Sequence, residues 1–90
     1  MKRSKAGILA DILRVIANNP DGAMPTHILY KANLSYKLLK QYLDMLIESE
    51  FIMNTNVKGK KKYTITQKGH EFLQQFRKLE RLSKAFGIEI

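Results

Sequence analysis

Near the start of the chain, apolar residues recur with a helical period. Ile8, Leu9, Ile12, Leu13 and Ile16 fall on one stripe, while Asp11, Arg14 and Asn18 lie off it. The spacing predicts a helix over 4–18. Asn18-Asn19-Pro20-Asp21-Gly22 ends it, because proline cannot continue a helix and Asp-Gly favours a turn. A short second helix is predicted over 26–32, with Pro25 and Thr26 as its start signals.

Asn33-Leu34-Ser35 then breaks the pattern, and the Ser35 hydroxyl is suited to cap the next helix. That third helix is predicted over 35–50. Leu38, Leu39, Tyr42, Leu43, Leu46 and Ile47 form its apolar face, and Lys37, Lys40, Gln41, Asp44 and Glu48 lie opposite, with Tyr36 at the edge. Beyond it the period shortens. Phe51-Ile52-Met53-Asn54 and Lys62-Tyr63-Thr64-Ile65 read as two strands of a hairpin over 51–65. Between them Thr55-Asn56-Val57-Lys58-Gly59-Lys60-Lys61 reads as a polar loop too long for a two-residue turn. A fourth helix is predicted over 67–86, with Gly87 as its C-terminal cap.

The order helix, helix, helix, hairpin, helix predicts a mainly α domain with a small β-hairpin. The expected architecture is a winged helix-turn-helix with an extended C-terminal helix, spanning residues 1–90 as one domain. A hydrophobic fraction of 44% is that of a folded globular chain rather than a disordered basic tail.

Charge changes the picture from fold to partner. Sixteen Lys and Arg against eight Asp and Glu give a net charge of +8, which attracts polyanions. The arrangement is more informative than the total. In the third helix, Lys37 and Lys40 stand in the first turns while Glu48 and Glu50 stand at the end. The helix macrodipole favours the opposite order, so helix stability does not account for this placement. Lysines at the front of a helix that enters the major groove would meet phosphates. Gln41 has the paired donor and acceptor that read an adenine edge, and the Tyr36 hydroxyl can bond a phosphate. Lys58, Lys60, Lys61 and Lys62 form a second cationic group whose mutual repulsion a polyanion would relieve. Lys2, Arg3 and Lys5 suggest a mobile basic arm.

In the fourth helix Phe72, Phe76, Leu79, Ser83 and Phe86 recur at heptad-like spacing. Its first half is expected to pack on the core and the remainder to pair with a second copy. The expected subunit interface is Phe76, Leu79, Leu82, Ser83 and Phe86. Catalytic chemistry is not expected. The chain has no cysteine, and His27 and His70 lie too far apart in sequence to suggest a zinc site, so no metal, cofactor or small-molecule ligand is expected. Without a signal peptide or an apolar run long enough to span a membrane, the expected location is cytoplasmic and nucleoid-associated.

Ala32-Asn33-Leu34-Ser35-Tyr36 running into Leu39, Tyr42-Leu43 and Leu46, then Tyr63-Thr64-Ile65-Thr66 followed by Lys68-Gly69, resembles the small archaeal winged-helix proteins, including the Sulfolobus ten-kilodalton DNA-binding proteins. The resemblance covers nearly the whole chain. It implies a homodimer joined by antiparallel pairing of the final helix, with DNA contacts from the third helix and the wing. Carried over, it implies Ser35, Tyr36, Lys37, Lys40 and the loop lysines as contact residues. The final helix here ends near Phe86, shorter than the long coiled coil of some relatives. The expected function is double-stranded DNA binding by a transcription regulator or chromatin-associated protein. Its DNA-contact residues are Ser35, Tyr36, Lys37, Lys40, Gln41, Lys58, Lys60, Lys61 and Lys62. The alternatives are a winged-helix module docking an acidic protein partner and an RNA-binding protein.

Overall fold

A computed structural model describes residues 3–88 of the chain. Its elements are α1 (Lys5–Ala17), α2 (Pro25–Ala32), α3 (Tyr36–Glu48), β1 (Ile52–Val57), β2 (Lys60–Ile65) and α4 (Gln67–Phe86). Three of the helices begin at hydroxyl caps. Ser4 Oγ accepts from the Gly7 N–H at 3.0 Å, Ser35 Oγ from Leu38 at 3.2 Å, and Thr66 Oγ1 from Gly69 at 3.0 Å. Each satisfies one of the backbone donors that a helix start leaves without an internal partner. Asn33 ends α2 in the left-handed region (φ 55°, ψ 58°), a conformation asparagine tolerates better than most residues. It turns the chain directly into α3. Gly87 closes α4 at φ 67°, as expected of a glycine cap.

The helices enclose one core. Ile12, Leu13 and Ile16 of α1, Ile28 of α2, Leu39 and Leu46 of α3 and Ile52 of β1 are fully buried, and Leu73 and Phe76 of α4 close the other side. The α3 face is narrower than expected. Leu39, Tyr42, Leu43 and Leu46 are buried, but Ile47 remains 37% exposed at the edge of the stripe. Ile47 lies one turn beyond Leu43 at the margin of the stripe, outside the part of the helix surface that the core covers.

The hairpin departs from expectation. β1 and β2 pair antiparallel from Ile52↔Ile65 to Val57↔Lys60, so residues assigned to a long loop are strand. Only Lys58 and Gly59 make the turn, at φ 52° and 76°. Two successive positive φ values are the signature of a type I′ turn, whose twist matches that of the strands it joins. The turn's first position is held by lysine, a residue that rarely signals it, and the polar strand residues disguise the pairing.

A further backbone pair lies outside the hairpin. Ala23 and Tyr63 exchange hydrogen bonds of 2.8 and 2.9 Å, fastening β2 to the segment before α2. At the base of the hairpin, Thr66 Oγ1 donates to the Glu50 carbonyl at 2.6 Å and the Thr66 N–H donates to the Phe51 carbonyl at 3.0 Å. Gly69 packs so tightly here that a Cβ would collide with the Phe51 carbonyl oxygen and the Ile65 side chain. The Phe51 and Phe72 rings lie 5.0 Å apart, joining the start of the hairpin to α4.

Arg3 does not behave as part of a mobile arm. Its guanidinium donates to Asp11 at 2.8 Å and to the carbonyls of Ala32 and Asn33 at 2.7 and 3.2 Å. It thereby satisfies carbonyls at the end of α2 that have no partner within the helix. Lys5, also assigned to that expected arm, is the first residue of α1, and Lys2 lies outside the described residues.

Candidate functional site

The front of α3 stands clear of the core. Ser35, Tyr36, Lys37, Lys40 and Gln41 are all exposed, Tyr36 to 71%. The first turn carries no acidic residue and the last turn no basic one, so the charge order inferred from sequence holds along the folded helix. Ser35 has a structural duty as the cap of α3, yet its hydroxyl still has a proton to donate outward.

The two-residue turn redistributes the wing lysines. In a strand, successive side chains alternate between faces, so Lys61 projects to the same side as Tyr63, and Lys60 and Lys62 to the other. Lys61 lines a groove of about 190 Å³ with Tyr36 and Lys40 of α3, floored by Leu39, Leu43 and Tyr63 and bounded by Asp44. The structure thus brings Tyr36, Lys40 and one wing lysine to one concave surface, while Ser35, Lys37 and Gln41 are exposed but do not line it. Lys62 instead lines a separate cleft with His27 and Tyr30 of α2. Lys58 stands at the tip of the turn, exposed. The sequence presented the four lysines as one cationic group; the strand register distributes them between two flanks and a tip. His27 and Tyr30 were not singled out as site residues, since nothing in the sequence placed them beside the wing.

Among the described residues, the lysines on this side form no ion pair. The ion pairs there join Arg3 to Asp11 and Arg14 to Asp11 and Glu80, on the side where α1 meets α4, and none involves a lysine. The arrangement suits an acceptor-rich, negatively charged partner.

The residues expected at a subunit interface divide as well. Phe76 is 6% exposed and Ser83 is buried within the single chain, so neither presents a free surface. Phe76 points into the core because α4 lies against α1, where Arg14 donates to Glu80 at 2.6 Å. Leu79, Leu82 and Phe86 remain exposed along the distal half of α4.

The model of the winged helix-turn-helix family matches residues 2–84. The chain belongs to this family. As a winged helix-turn-helix protein it carries α2 and α3 as the helix-turn-helix pair and β1–β2 as the wing. An uncharacterized protein of Methanocaldococcus jannaschii is 34% identical over 82 residues, which is 91% of this chain but only 36% of that protein's length. The chain therefore spans about a third of that relative. Among solved structures, Sso10a-2, a DNA-binding protein from Sulfolobus solfataricus, superposes with a TM-score of 0.80 at 25% identity, covering 93% of this chain and 85% of the other. MepR, a transcription regulator of the Staphylococcus aureus multidrug efflux pump MepA, superposes with a TM-score of 0.75 at 13% identity, covering 88% and 61%; that likeness is one of fold. The expected fold class and the resemblance to the Sulfolobus ten-kilodalton proteins are both borne out.

Proposed function

We propose that this winged helix-turn-helix protein binds double-stranded DNA as a homodimer and serves as a transcription regulator or a nucleoid-associated chromatin protein. One observation carries the reading: Tyr36 and Lys40 of α3 and Lys61 of the wing line a single groove, with no lysine among the ion pairs of the described residues. A helix front bearing Lys37, Lys40 and Gln41 enters the major groove, where Gln41 faces base edges and the lysines face phosphates. Lys58, Lys60, Lys61 and Lys62 hold the backbone on either side. Sso10a-2 is itself a DNA-binding protein, which supports the same reading here. No residue of the site has a catalytic task in it.

The second copy joins through Leu79, Leu82 and Phe86, an apolar row at helical spacing on a helix longer than the core covers. Two copies would present two α3 helices to separate half-sites.

The test is titration of a duplex at several salt concentrations, against an RNA duplex of equal length. Binding that weakens steeply with salt and prefers DNA is expected, because the deep, narrow major groove of A-form RNA excludes a helix. Absence of DNA binding at low salt, or equal binding of both duplexes, would overturn the reading.

A further inference from the structure

Lys62 lies against the α1–α2 loop rather than beside α3. Gly22, at φ 112°, approaches it so closely that a Cβ there would lie 2.8 Å from the Lys62 Cβ. The aliphatic stem is thus laid along a glycine that leaves room for it, and the Ala23–Tyr63 backbone pair holds strand and loop together. The cleft beside it has a volume of about 400 Å³. From α2 it receives Thr26, His27 and Tyr30, whose i, i+1 and i+4 spacing puts them on neighbouring positions of one helix face.

The chemistry of the lining is one-sided. It holds an ammonium, an imidazole, a phenol and a hydroxyl, and no carboxylate. Asn19, also in the lining, donates one amide N–H to the Val15 carbonyl at 2.7 Å, closing the end of α1. Tyr30 is 79% exposed, so packing does not explain it. Donors gathered around a fixed cation, with no acid to neutralise it, suit a ligand that only accepts hydrogen bonds and carries negative charge.

We propose that this cleft is a second phosphate-binding subsite, in which Lys62, His27, Tyr30 and Thr26 hold a DNA backbone phosphodiester distinct from the one met by Lys61 and Lys40. The proposal rests on the DNA-binding reading above and extends it. Strand β2 becomes a ridge between two phosphates, with consecutive lysines serving opposite flanks. Thr26, His27 and Tyr30 reach the phosphate from α2 and Lys62 reaches it from β2, so donors from two elements meet one anion.

The experiment measures duplex affinity of the full chain against salt for the wild type, Lys62→Gln, His27→Gln, Lys61→Gln and the double variants that join His27→Gln to each lysine change. Glutamine keeps most of the Lys62 stem on Gly22 while removing its charge, and circular dichroism verifies that each variant is folded. Lys62→Gln and Lys61→Gln should each lower the salt slope by about 0.9, the loss of one phosphate contact. His27→Gln should weaken binding less in Lys62→Gln than in the wild type, because both side chains meet one phosphate, and should weaken Lys61→Gln and the wild type equally. At constant ionic strength, a short duplex should shift the His27 ring resonances and inorganic phosphate should not. Unchanged slope in Lys62→Gln, or additive losses in His27→Gln with Lys62→Gln, would overturn the subsite while leaving the α3 groove intact. Equal shifts with inorganic phosphate alone would assign the cleft to a free anion and overturn it too. A wild-type chain that binds no duplex would overturn both proposals together.

Discussion

Lys61 and Lys62 are adjacent in sequence yet serve opposite flanks of β2, Lys61 lining the groove with Tyr36 and Lys40, Lys62 lying along Gly22 beside His27 and Tyr30. The separation follows from strand geometry, in which consecutive side chains leave opposite faces. A flexible loop would have pooled the same charges into one diffuse cloud. The short turn converts them into fixed positions, and several measurable consequences depend on that.

Removing the cations of the α3 groove should weaken DNA binding through its electrostatic part. The double variant Lys40→Ala, Lys61→Ala is expected to flatten the dependence of log affinity on log salt by about 1.8, two contacts at about 0.9 each. Fluorescence titration at several salt concentrations measures the slope. An unaltered slope would separate this groove from the binding surface.

Lys58 offers a substitution in which stability and binding move in opposite directions. It sits at φ 52° in the first position of the turn, followed by Gly59. Lys58→Asn creates Asn-Gly, the sequence best suited to a type I′ turn. Thermal unfolding should shift upward, by a stability gain of about 0.5–1 kcal/mol from relieving a left-handed lysine. DNA affinity should fall at low salt, because the tip charge is gone.

Gly69 is the tightest point between α4 and the hairpin base, with the Phe51 carbonyl and the Ile65 side chain in the path of any Cβ. Alanine favours helices, so on an isolated helix the exchange would stabilise by about 1 kcal/mol. Here Gly69→Ala is expected to destabilise instead, by about 1–3 kcal/mol, because backbone must move to admit the methyl group. Urea unfolding decides the sign.

The two classes of apolar residue on α4 should respond differently to substitution. Phe76→Ala removes a core ring and is expected to cost about 3–5 kcal/mol of folding stability. Leu82→Glu with Phe86→Glu alters exposed positions, so helix content should survive while sedimentation shifts from dimer to monomer. A wild-type chain that sediments as a monomer would refute the pairing.

The parts of the fold legible in the residues were those governed by local period and local capping. Leu39, Tyr42, Leu43 and Leu46 recur at the spacing that puts side chains on one helix face, and Ser35 and Gly87 carry the side-chain chemistry that starts and stops a helix. The exposed front of α3 followed from the same period. Ile47 was misplaced because periodicity gives the direction of an apolar stripe but not the width of the surface that meets it.

By itself the sequence determined the order of the elements and the core-facing stripes of α1 and α3, because these depend on residues within a turn or two of one another. It also determined the excess of positive charge, which is a matter of composition. Tertiary structure alone decided which flank each wing lysine serves, that Arg3 is tied to the end of α2, and that His27 and Tyr30 stand beside Lys62. Those outcomes depend on strand register and on a backbone pair between Ala23 and Tyr63, forty residues apart. Backbone hydrogen bonds of that kind carry no side-chain signature, so they become visible only when the chain has closed on itself.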